Sequence, residues 1–218
     1  MTALRAIILD FDGVILESNE AKTEVFHQIF SRFPYHHDAM MAFHYAQAWA
    51  SRVLKFDHLV FERLGRPGDV ALRDELVNEF SRLSRERLLT APFVRGAEEF
   101  LRFFAARIPL VVASVTPEAD LKHTLDQRDL RQYFSAVYGC PPWTKGAAAC
   151  DVLTTWSLPA EAVVLIGDAP GDLRAADDAG IEFIWRRSGI EFSPAPPARS
   201  FADLVEIGEH LRPRLSRS

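Results

Sequence analysis

Two aspartates stand two positions apart where an apolar run ends near the start of the chain. Asp10 and Asp12 follow residues 7–9, which have the composition of a short buried strand, and Gly13 comes next. Two carboxylates about 4 Å apart repel by roughly 4 kcal/mol at an effective dielectric of about 20. A chain that places them together usually supplies a cation, a shared proton, or both. Taken alone, the segment is equally compatible with a solvated Asp-Gly turn.

A second pair of acids, Asp168 and Asp172, follows another apolar run, residues 162–166. Ser114 comes directly after a third apolar run, and Lys145 lies between these features. The alternative role for the second acid pair is to favour a helix N-terminus through its dipole. In open parallel α/β sheets, however, ligands bind at the carboxyl edge of the strands. Because three of the four features follow predicted strands, we expect these side chains to share one site.

Taken in chain order, these residues resemble the motifs of the haloacid dehalogenase superfamily, whose members are mostly phosphatases on a Rossmann-like core. The four motifs are matched by Asp10 and Asp12, by Ser114, by Lys145, and by Asp168 and Asp172. The resemblance extends from residue 4 to about residue 185. The chain departs from the usual pattern at Glu17, Val115 and Gly146, where many members have Asp, a small or amide residue, and Pro.

The resemblance and the apolar pattern imply an α/β protein: a Rossmann-like, doubly wound parallel sheet core with a small all-helical cap domain. Residues 1–15 and 90–218 are predicted to form the core, because strands and helices alternate after the cap. Residues 16–89 are predicted to form the cap, because the apolar period there is helical. Asp69 is expected to cap the last helix of this segment.

In the predicted core, helices are expected over residues 97–107, 145–156, 171–179 and 201–211, and strands over 109–113, 136–138, 162–166 and 182–185. The Pro-rich segment 193–199 is expected to be a loop. Thr116 competes with Ser114 for the role of second motif. We interpret it instead as a helix cap, because Pro117 follows it and favours the first helical position.

Composition narrows the class of protein. The chain has 218 residues, 48% of them hydrophobic, and a formal net charge of −5. It has room for a core domain with an insertion and shows no basic footprint for nucleic acid. It has no apolar run long enough for a membrane span and no secretory leader pattern, which predicts a cytoplasmic protein. Cys140 and Cys150 are expected to be free buried thiols.

The motif charges predict a divalent cation. Four ionised aspartates carry four negative charges, and Lys145 neutralises one of them. The motifs contain no His or Cys, so the ligands on offer are oxygens, which suit Mg²⁺ rather than zinc. The resemblance implies that the carboxylates of Asp10 and Asp168, with the backbone carbonyl of Asp12, bind Mg²⁺. Asp172 would lie nearby and orient a metal-bound water or Lys145.

The resemblance also implies catalytic roles. Asp10 would be the nucleophile that forms an aspartyl-phosphate, and Asp12 would be the general acid and then the general base. Lys145 would offset negative charge, and Ser114 would donate a hydrogen bond to a phosphoryl oxygen. The expected activity is that of a Mg²⁺-dependent phosphatase acting on a small phosphorylated metabolite such as a sugar phosphate.

Residues of the predicted cap are expected to select the substrate. Arg52 and Lys55 are candidate contacts to substrate hydroxyls or to a second anionic group, or else part of a solvated cationic face. The cap histidines are interpreted as satisfied surface or interface residues rather than metal ligands; they are His36, His37, His44 and His58.

Two other reactions and one non-enzymatic role stay open on the sequence. A phosphomutase would use the same motifs. A phosphonatase would need a cap amine for a Schiff base, for which Lys22 and Lys55 are the candidates. A binding or scaffold domain that keeps only the fold is the third alternative, and the intact set of acids with Lys145 disfavours it.

Overall fold

Six parallel strands form one sheet in the computed structural model of the chain, which describes residues 2–47, 50–192 and 196–215. The strands are β1 (Ala6–Leu9), β2 (Leu110–Ser114), β3 (Ala136–Gly139), β4 (Val163–Gly167), β5 (Glu182–Arg186) and β6 (Ser200–Phe201). Their spatial order is 3-2-1-4-5-6, the doubly wound order in which the chain switches direction beside β1. This confirms the predicted α/β class with a parallel Rossmann-like sheet.

Helices connect and flank these strands. The α-helices of the described residues are α1 (Asn19–Phe30), α2 (His37–Ala46), α3 (Arg52–Asp57), α4 (Val70–Leu88), α5 (Ala97–Ala105), α6 (Glu118–Gln127), α7 (Lys145–Thr155), α8 (Pro170–Ala179) and α9 (Leu204–Leu211). A π-helical turn (His58–Arg63) continues α3, and short 3₁₀ turns cover Arg131–Tyr133, Ala160–Ala162 and Arg212–Arg214. In these described parts, no helix combines the length and hydrophobicity of a membrane span.

The chain divides into two compact units. The first contains the residues up to Glu17 and those from Pro92 onward, and the second is Ser18–Ala91. These divisions lie two residues beyond the predicted domain boundaries at 15/16 and 89/90. All six strands belong to the first unit, and the described residues of the second unit contain helices and turns without a strand.

The central strands of the first unit are buried along their whole length. Every residue of β1, β2 and β4 is buried, as expected for parallel strands with helices on both faces. Leu9 is paired with Val112 on one side and with Ile166 on the other. The carboxyl ends of these three strands are therefore level with one another.

The second unit has its own aromatic core. Phe26 and Phe80, from α1 and α4, lie with ring centroids 4.2 Å apart, and Phe56 of α3 packs against both. Asp69 caps α4, because its Oδ1 accepts a hydrogen bond from the backbone N–H of Leu72 at 3.1 Å. The predicted cap of this helix is thus confirmed.

Two predictions on the first unit are wrong. Phe201 belongs to the edge strand β6, and the last helix begins only at Leu204, where Asp203 caps it. A two-residue strand is too short to show an alternating pattern. The thiol of Cys140 is half-buried and that of Cys150 is exposed, so neither is the buried group expected. Of the predicted loop 193–199, residues 193–195 lie outside the described residues.

Candidate active site

Three neighbouring strands lead to polar residues at the same edge of the sheet. Asp10 directly follows β1, Ser114 is the last residue of β2, and Asp168 directly follows β4. All three are buried. The strand order 2-1-4 therefore brings residues of the first, second and fourth motifs to one location, although about 160 residues of sequence separate Asp10 from Asp168.

Asp10 is engaged at both carboxylate oxygens. Its Oδ1 accepts a hydrogen bond from the backbone N–H of Phe11 at 2.7 Å, and its Oδ2 lies 2.7 Å from Lys145 Nζ. Burial raises the pKa of Asp10 well above its ordinary value, and the three other motif aspartates raise it further, against the opposing effect of Lys145. In the absence of a metal ion, Asp10 therefore keeps its proton to a higher pH than an ordinary aspartate does.

Lys145 supplies positive charge to the acids from the start of α7. The preceding residue, Thr144, caps this helix, since its hydroxyl accepts from the backbone N–H of Ala147 at 3.1 Å. The Lys145 ammonium contacts Asp10 and also donates to Asp172 Oδ1. Burial alone would lower the pKa of Lys145, but the two carboxylates outweigh it and raise that pKa above its ordinary range. Lys145 therefore stays charged at neutral pH.

Asp172 connects the start of α8 to the end of β4. Its Oδ2 accepts hydrogen bonds from the backbone N–H groups of Asp168 at 3.2 Å and Ala169 at 3.1 Å. The side chain also lies against Gly167, where an added Cβ would stand 2.2 Å from the Cβ of Asp172. Only glycine fits at position 167, because any side chain there would overlap the side chain of Asp172.

The three buried acids Asp10, Asp168 and Asp172 form a group that could hold a metal ion. One oxygen from each lies within 4.8 Å of the other two. Carboxylate oxygens are hard donors that suit Mg²⁺, and the buried negative charge favours a dication. The sequence predicts that Asp172 lies beside the metal. In the structure its carboxylate contributes an oxygen to this cluster of three acids, and it also accepts a hydrogen bond from Lys145.

Of the two hydroxyl residues at the end of β2, Thr116 is arranged differently from the prediction. The helix that follows begins at Glu118 with Pro117 as its N-cap residue, so Thr116 does not cap it. The Thr116 hydroxyl instead donates to Asp12 Oδ2 at 3.3 Å. The Thr116 backbone N–H donates to Ser114 Oγ at 3.1 Å, which leaves the Ser114 proton for another acceptor. The cap interpretation of Thr116 is therefore wrong.

Thr116 is a site residue whose sequence context instead favours a helix cap. The available signal was its spacing, because a residue two positions after a strand-end serine can turn back toward the same edge. The Thr-Pro pair favoured the competing assignment, since proline is common at the start of a helix. The position of Asp12, which precedes Thr116 by 104 residues, shows that Thr116 contacts the acid and does not cap the helix.

The predicted substrate contacts lie in the second unit and are both buried. Arg52 donates from Nη1 to Ser81 Oγ at 2.6 Å, and its guanidinium stands 5.0 Å from the centre of the Phe80 ring. Lys55 Nζ lies 2.9 Å from His44 Nδ1 and 4.9 Å from the centre of the Phe26 ring. A solvated cationic face is thus wrong for both residues.

The buried amine of Lys55 belongs to a short polar chain with His44 and Thr23. Burial lowers the pKa of Lys55 to about 7, and the nearby charge of Lys22 contributes. Burial also lowers the pKa of His44 to about 3, with a contribution from Lys55, so its ring is neutral. If Lys55 donates to His44 Nδ1, the ring proton is on Nε2 and faces Thr23 Oγ1 at 3.0 Å. His44 is therefore a satisfied buried residue.

Comparison with known families agrees with the motifs. A family model described as haloacid dehalogenase-like hydrolase matches residues 7–186 of the chain. This match confirms the resemblance that the ordered motifs indicate, and with it the prediction of a hydrolase. The match spans both compact units and includes all six motif residues.

Individual relatives are similar over most of their length. The phosphorylated carbohydrates phosphatase of Thermotoga maritima is 27% identical over 198 residues, which cover 84% of each chain. The solved structure of a predicted phosphoglycolate phosphatase from Haemophilus somnus has a TM-score of 0.77 at 16% identity, covering 97% of this chain and all of the other. A HAD-superfamily hydrolase, subfamily IA, variant 1, from Geobacter sulfurreducens has a TM-score of 0.67 at 23% identity and covers 96% and 97%. These structures share the fold.

Proposed function

This chain belongs to the family of haloacid dehalogenase-like hydrolases, and on that premise we propose that it is a Mg²⁺-dependent phosphatase of a small phosphorylated carbohydrate. The observation that carries the proposal is the position of Asp10. Its carboxylate is oriented by Phe11 and Lys145 and shares a group of metal-compatible oxygens with Asp168 and Asp172. A nucleophile needs this combination of fixed geometry and charge compensation.

The donor set fits Mg²⁺. Asp10, Asp168 and Asp172 offer three buried oxygens within 4.8 Å of one another, and the described part of the site adds no nitrogen or sulfur ligand to them. The proposed ligands are the carboxylates of Asp10 and Asp168 with the backbone carbonyl of Asp12, and Asp172 contributes by its negative charge and its hold on Lys145. When bound, the cation would neutralise phosphoryl oxygens and lower the barrier to attack by an anionic nucleophile.

The first half of the reaction transfers the phosphoryl group to Asp10. One Asp10 oxygen attacks phosphorus, the bond from phosphorus to the leaving oxygen breaks, and Asp12 gives its proton to that oxygen. Lys145 stays charged and offsets the negative charge around Asp10, while the Ser114 hydroxyl is free to donate to a phosphoryl oxygen. The products are the free alcohol and an aspartyl-phosphate.

The second half releases phosphate. Asp12, now ionised, takes a proton from a water whose oxygen attacks phosphorus, and the bond to Asp10 breaks. Asp10 and the protonated form of Asp12 are thereby regenerated. The hydrogen bond from Thr116 to Asp12 Oδ2 orients this carboxyl group for the proton exchange.

The substrate class rests on similarity. The Thermotoga maritima relative is named for phosphorylated carbohydrates and is similar over 84% of both chains, which supports a sugar phosphate for this chain as well. Arg52 and Lys55 are the proposed substrate contacts of the second unit.

The proposal is tested with a panel of phosphorylated metabolites. Purified protein with MgCl₂ is incubated with sugar phosphates of three to six carbons, with glycolate and nucleotide phosphates for comparison, and inorganic phosphate is measured. We expect phosphate release that is fastest with one or a few sugar phosphates. An isomerised sugar phosphate without phosphate release would instead establish a mutase, and no turnover of any ester would refute the proposal.

One observation favours a second candidate. An amine forms an imine only in its neutral form, and burial lowers the pKa of Lys55 to about 7. This is the property that a phosphonatase would need in its cap lysine. Borohydride treatment with an aldehyde-bearing phosphonate should then reduce an imine on Lys55, detectable as a mass increase that is lost in Lys55→Met. Without such an adduct in the wild type, the phosphonatase alternative is excluded.

A further inference from the structure

The segment that follows the first motif is irregular and yet buried. From Phe11 to Leu16 the chain leaves β1 and turns back, and the apolar side chains of this stretch are almost fully enclosed. Gly13 makes the turn with a φ of +71°, and its N–H donates to the carbonyl of Leu16 at 2.8 Å. Buried backbone outside helices and strands needs other partners for its polar groups.

Arg186 provides such a partner from the end of β5. Its Nη1 donates to the carbonyl of Gly13 at 3.0 Å and to Glu17 Oε2 at 2.9 Å, and its Nη2 donates to Glu17 Oε1. Its Nε donates to the carbonyl of Ala202 at 3.2 Å. All three guanidinium nitrogens are thus used, and the side chain is buried.

These contacts connect both ends of the turn to the sheet. Gly13 directly follows Asp12, and Glu17 is the last residue of the first unit before the chain enters the second. The side chain of Glu17 is 40% exposed, so the ion pair is only partly desolvated and adds little to stability by itself. Its planar, two-bond geometry instead fixes direction, which a single lysine could not do.

Glu17 is also where the chain departs from the usual family pattern. The side chain is one methylene longer than the aspartate found in many members, and it reaches both terminal nitrogens of Arg186. The Glu17 carboxylate thus binds a partner on β5, which lies two positions from β1 in the sheet.

We propose that Arg186 is a positioning residue for the reaction: by binding the Gly13 carbonyl and the Glu17 carboxylate together, it fixes the backbone that carries Asp10 and Asp12. This inference rests on the proposed phosphatase function, because it assigns Arg186 an effect on the nucleophile and the acid. A displacement of about 1 Å in such groups is enough to slow a reaction by about 100-fold.

The test compares Arg186→Met with Arg187→Met on p-nitrophenyl phosphate in the full chain with MgCl₂. Arg187 is the next residue, is exposed, and donates hydrogen bonds to Ser200 and to the carbonyl of Phe201. We expect kcat to fall by about 10- to 100-fold in Arg186→Met, with KM changed less than about threefold, and wild-type values in Arg187→Met. Arg186→Lys should recover part of kcat.

The outcomes separate this inference from the proposed function. A folded Arg186→Met with wild-type kcat, or with a change in KM alone, overturns it. If circular dichroism shows that Arg186→Met is unfolded, Glu17→Gln and Arg186→Lys decide, and wild-type kcat in both also overturns it. A fall in kcat in these two variants supports it. If the wild type and Arg187→Met release neither p-nitrophenol nor phosphate from any ester of the metabolite panel, the proposed function fails and this inference fails with it.

Discussion

Lys145 Nζ lies 2.7 Å from Asp10 Oδ2 and donates at the same time to Asp172 Oδ1, so one ammonium connects the first motif to the fourth. Asp10 follows β1 and Asp172 lies in the first turn of α8, and without a cation between them their carboxylates would repel strongly. Lys145 thus allows Asp10 and Asp172 to approach each other. Because its pKa is raised above the ordinary range, this compensation persists over the whole physiological pH range.

Replacement of Asp10 tests the proposed nucleophile directly. Asp10→Asn keeps the shape and the hydrogen bond from Phe11 but removes the anionic oxygen. We expect phosphatase activity on p-nitrophenyl phosphate to fall by at least about 1000-fold, with circular dichroism and thermal unfolding close to wild type. Asp38→Asn, at an exposed aspartate of the second unit, is the matched control. Substantial activity in Asp10→Asn would mean that another group attacks phosphorus.

The affinity for Mg²⁺ should rise with pH. Burial and the other aspartates raise the pKa of Asp10, so the metal-free site holds a proton at pH values where an ordinary aspartate is ionised. The cation must displace that proton, and acid therefore weakens binding. Isothermal titration in two buffers with different ionisation enthalpies should show proton release at the low end of the range. EDTA should abolish turnover, and Mg²⁺ should restore it.

A lack of pH dependence in Mg²⁺ binding would contradict the raised pKa of Asp10. Asp10→Asn is the matched control, because it cannot take up the proton. It should bind Mg²⁺ more weakly than wild type but with a flatter dependence on pH.

Removal of the Thr116 hydroxyl should slow catalysis without loss of fold. Thr116→Val keeps the size of the side chain but loses the hydrogen bond to Asp12 Oδ2. A neutral hydrogen bond contributes about 1 kcal/mol, which corresponds to a decrease in kcat of roughly fivefold. Steady-state kinetics on p-nitrophenyl phosphate measure this effect. Thr154→Val, at an exposed threonine that bonds its own helix, should leave kcat unchanged. Equal rates for wild type and Thr116→Val would show that this contact does not orient Asp12.

Replacement of Lys55 should change the pH dependence of stability. The pKa of Lys55 is about 7 in the folded chain, lowered from 10.5, mainly by burial. Between these values the unfolded chain binds a proton that the folded chain lacks, so the stability contributed by this group rises with pH. Below pH 7 the folded chain must bury the charge. Lys55→Met escapes this cost, so its Tm relative to wild type should be highest at pH 6 and decline toward pH 9.

The control for this prediction is an exposed lysine. Lys122 pairs with Glu118 on α6 with 43% of its side chain exposed, and Lys122→Met should shift Tm equally at both pH values. If the difference between Lys55→Met and wild type is the same at pH 6 and pH 9, the amine of Lys55 is not buried in the way described.

The sequence by itself determined the sheet and the sites where its strands end. Residues 7–9 and 162–166 are continuous apolar runs, and short runs of this kind are typical of buried parallel strands. The polar residues that follow them were therefore predictable as members of one edge. The cap of α4 by Asp69 was also predictable, because a cap residue and the helix it caps are neighbours in sequence.

Only the tertiary structure decided which side chains meet across the sheet. Thr116 reaches Asp12, and Arg186 reaches Gly13 and Glu17, over separations of 104, 173 and 169 residues. The local sequence pattern does not predict such pairs, because they depend on the order and register of the strands and on the direction of each side chain. The burial of Lys55 has the same origin. A lysine is usually exposed to solvent, but the Phe26 ring beside the Lys55 amine comes from α1 and the His44 ring that contacts it comes from α2.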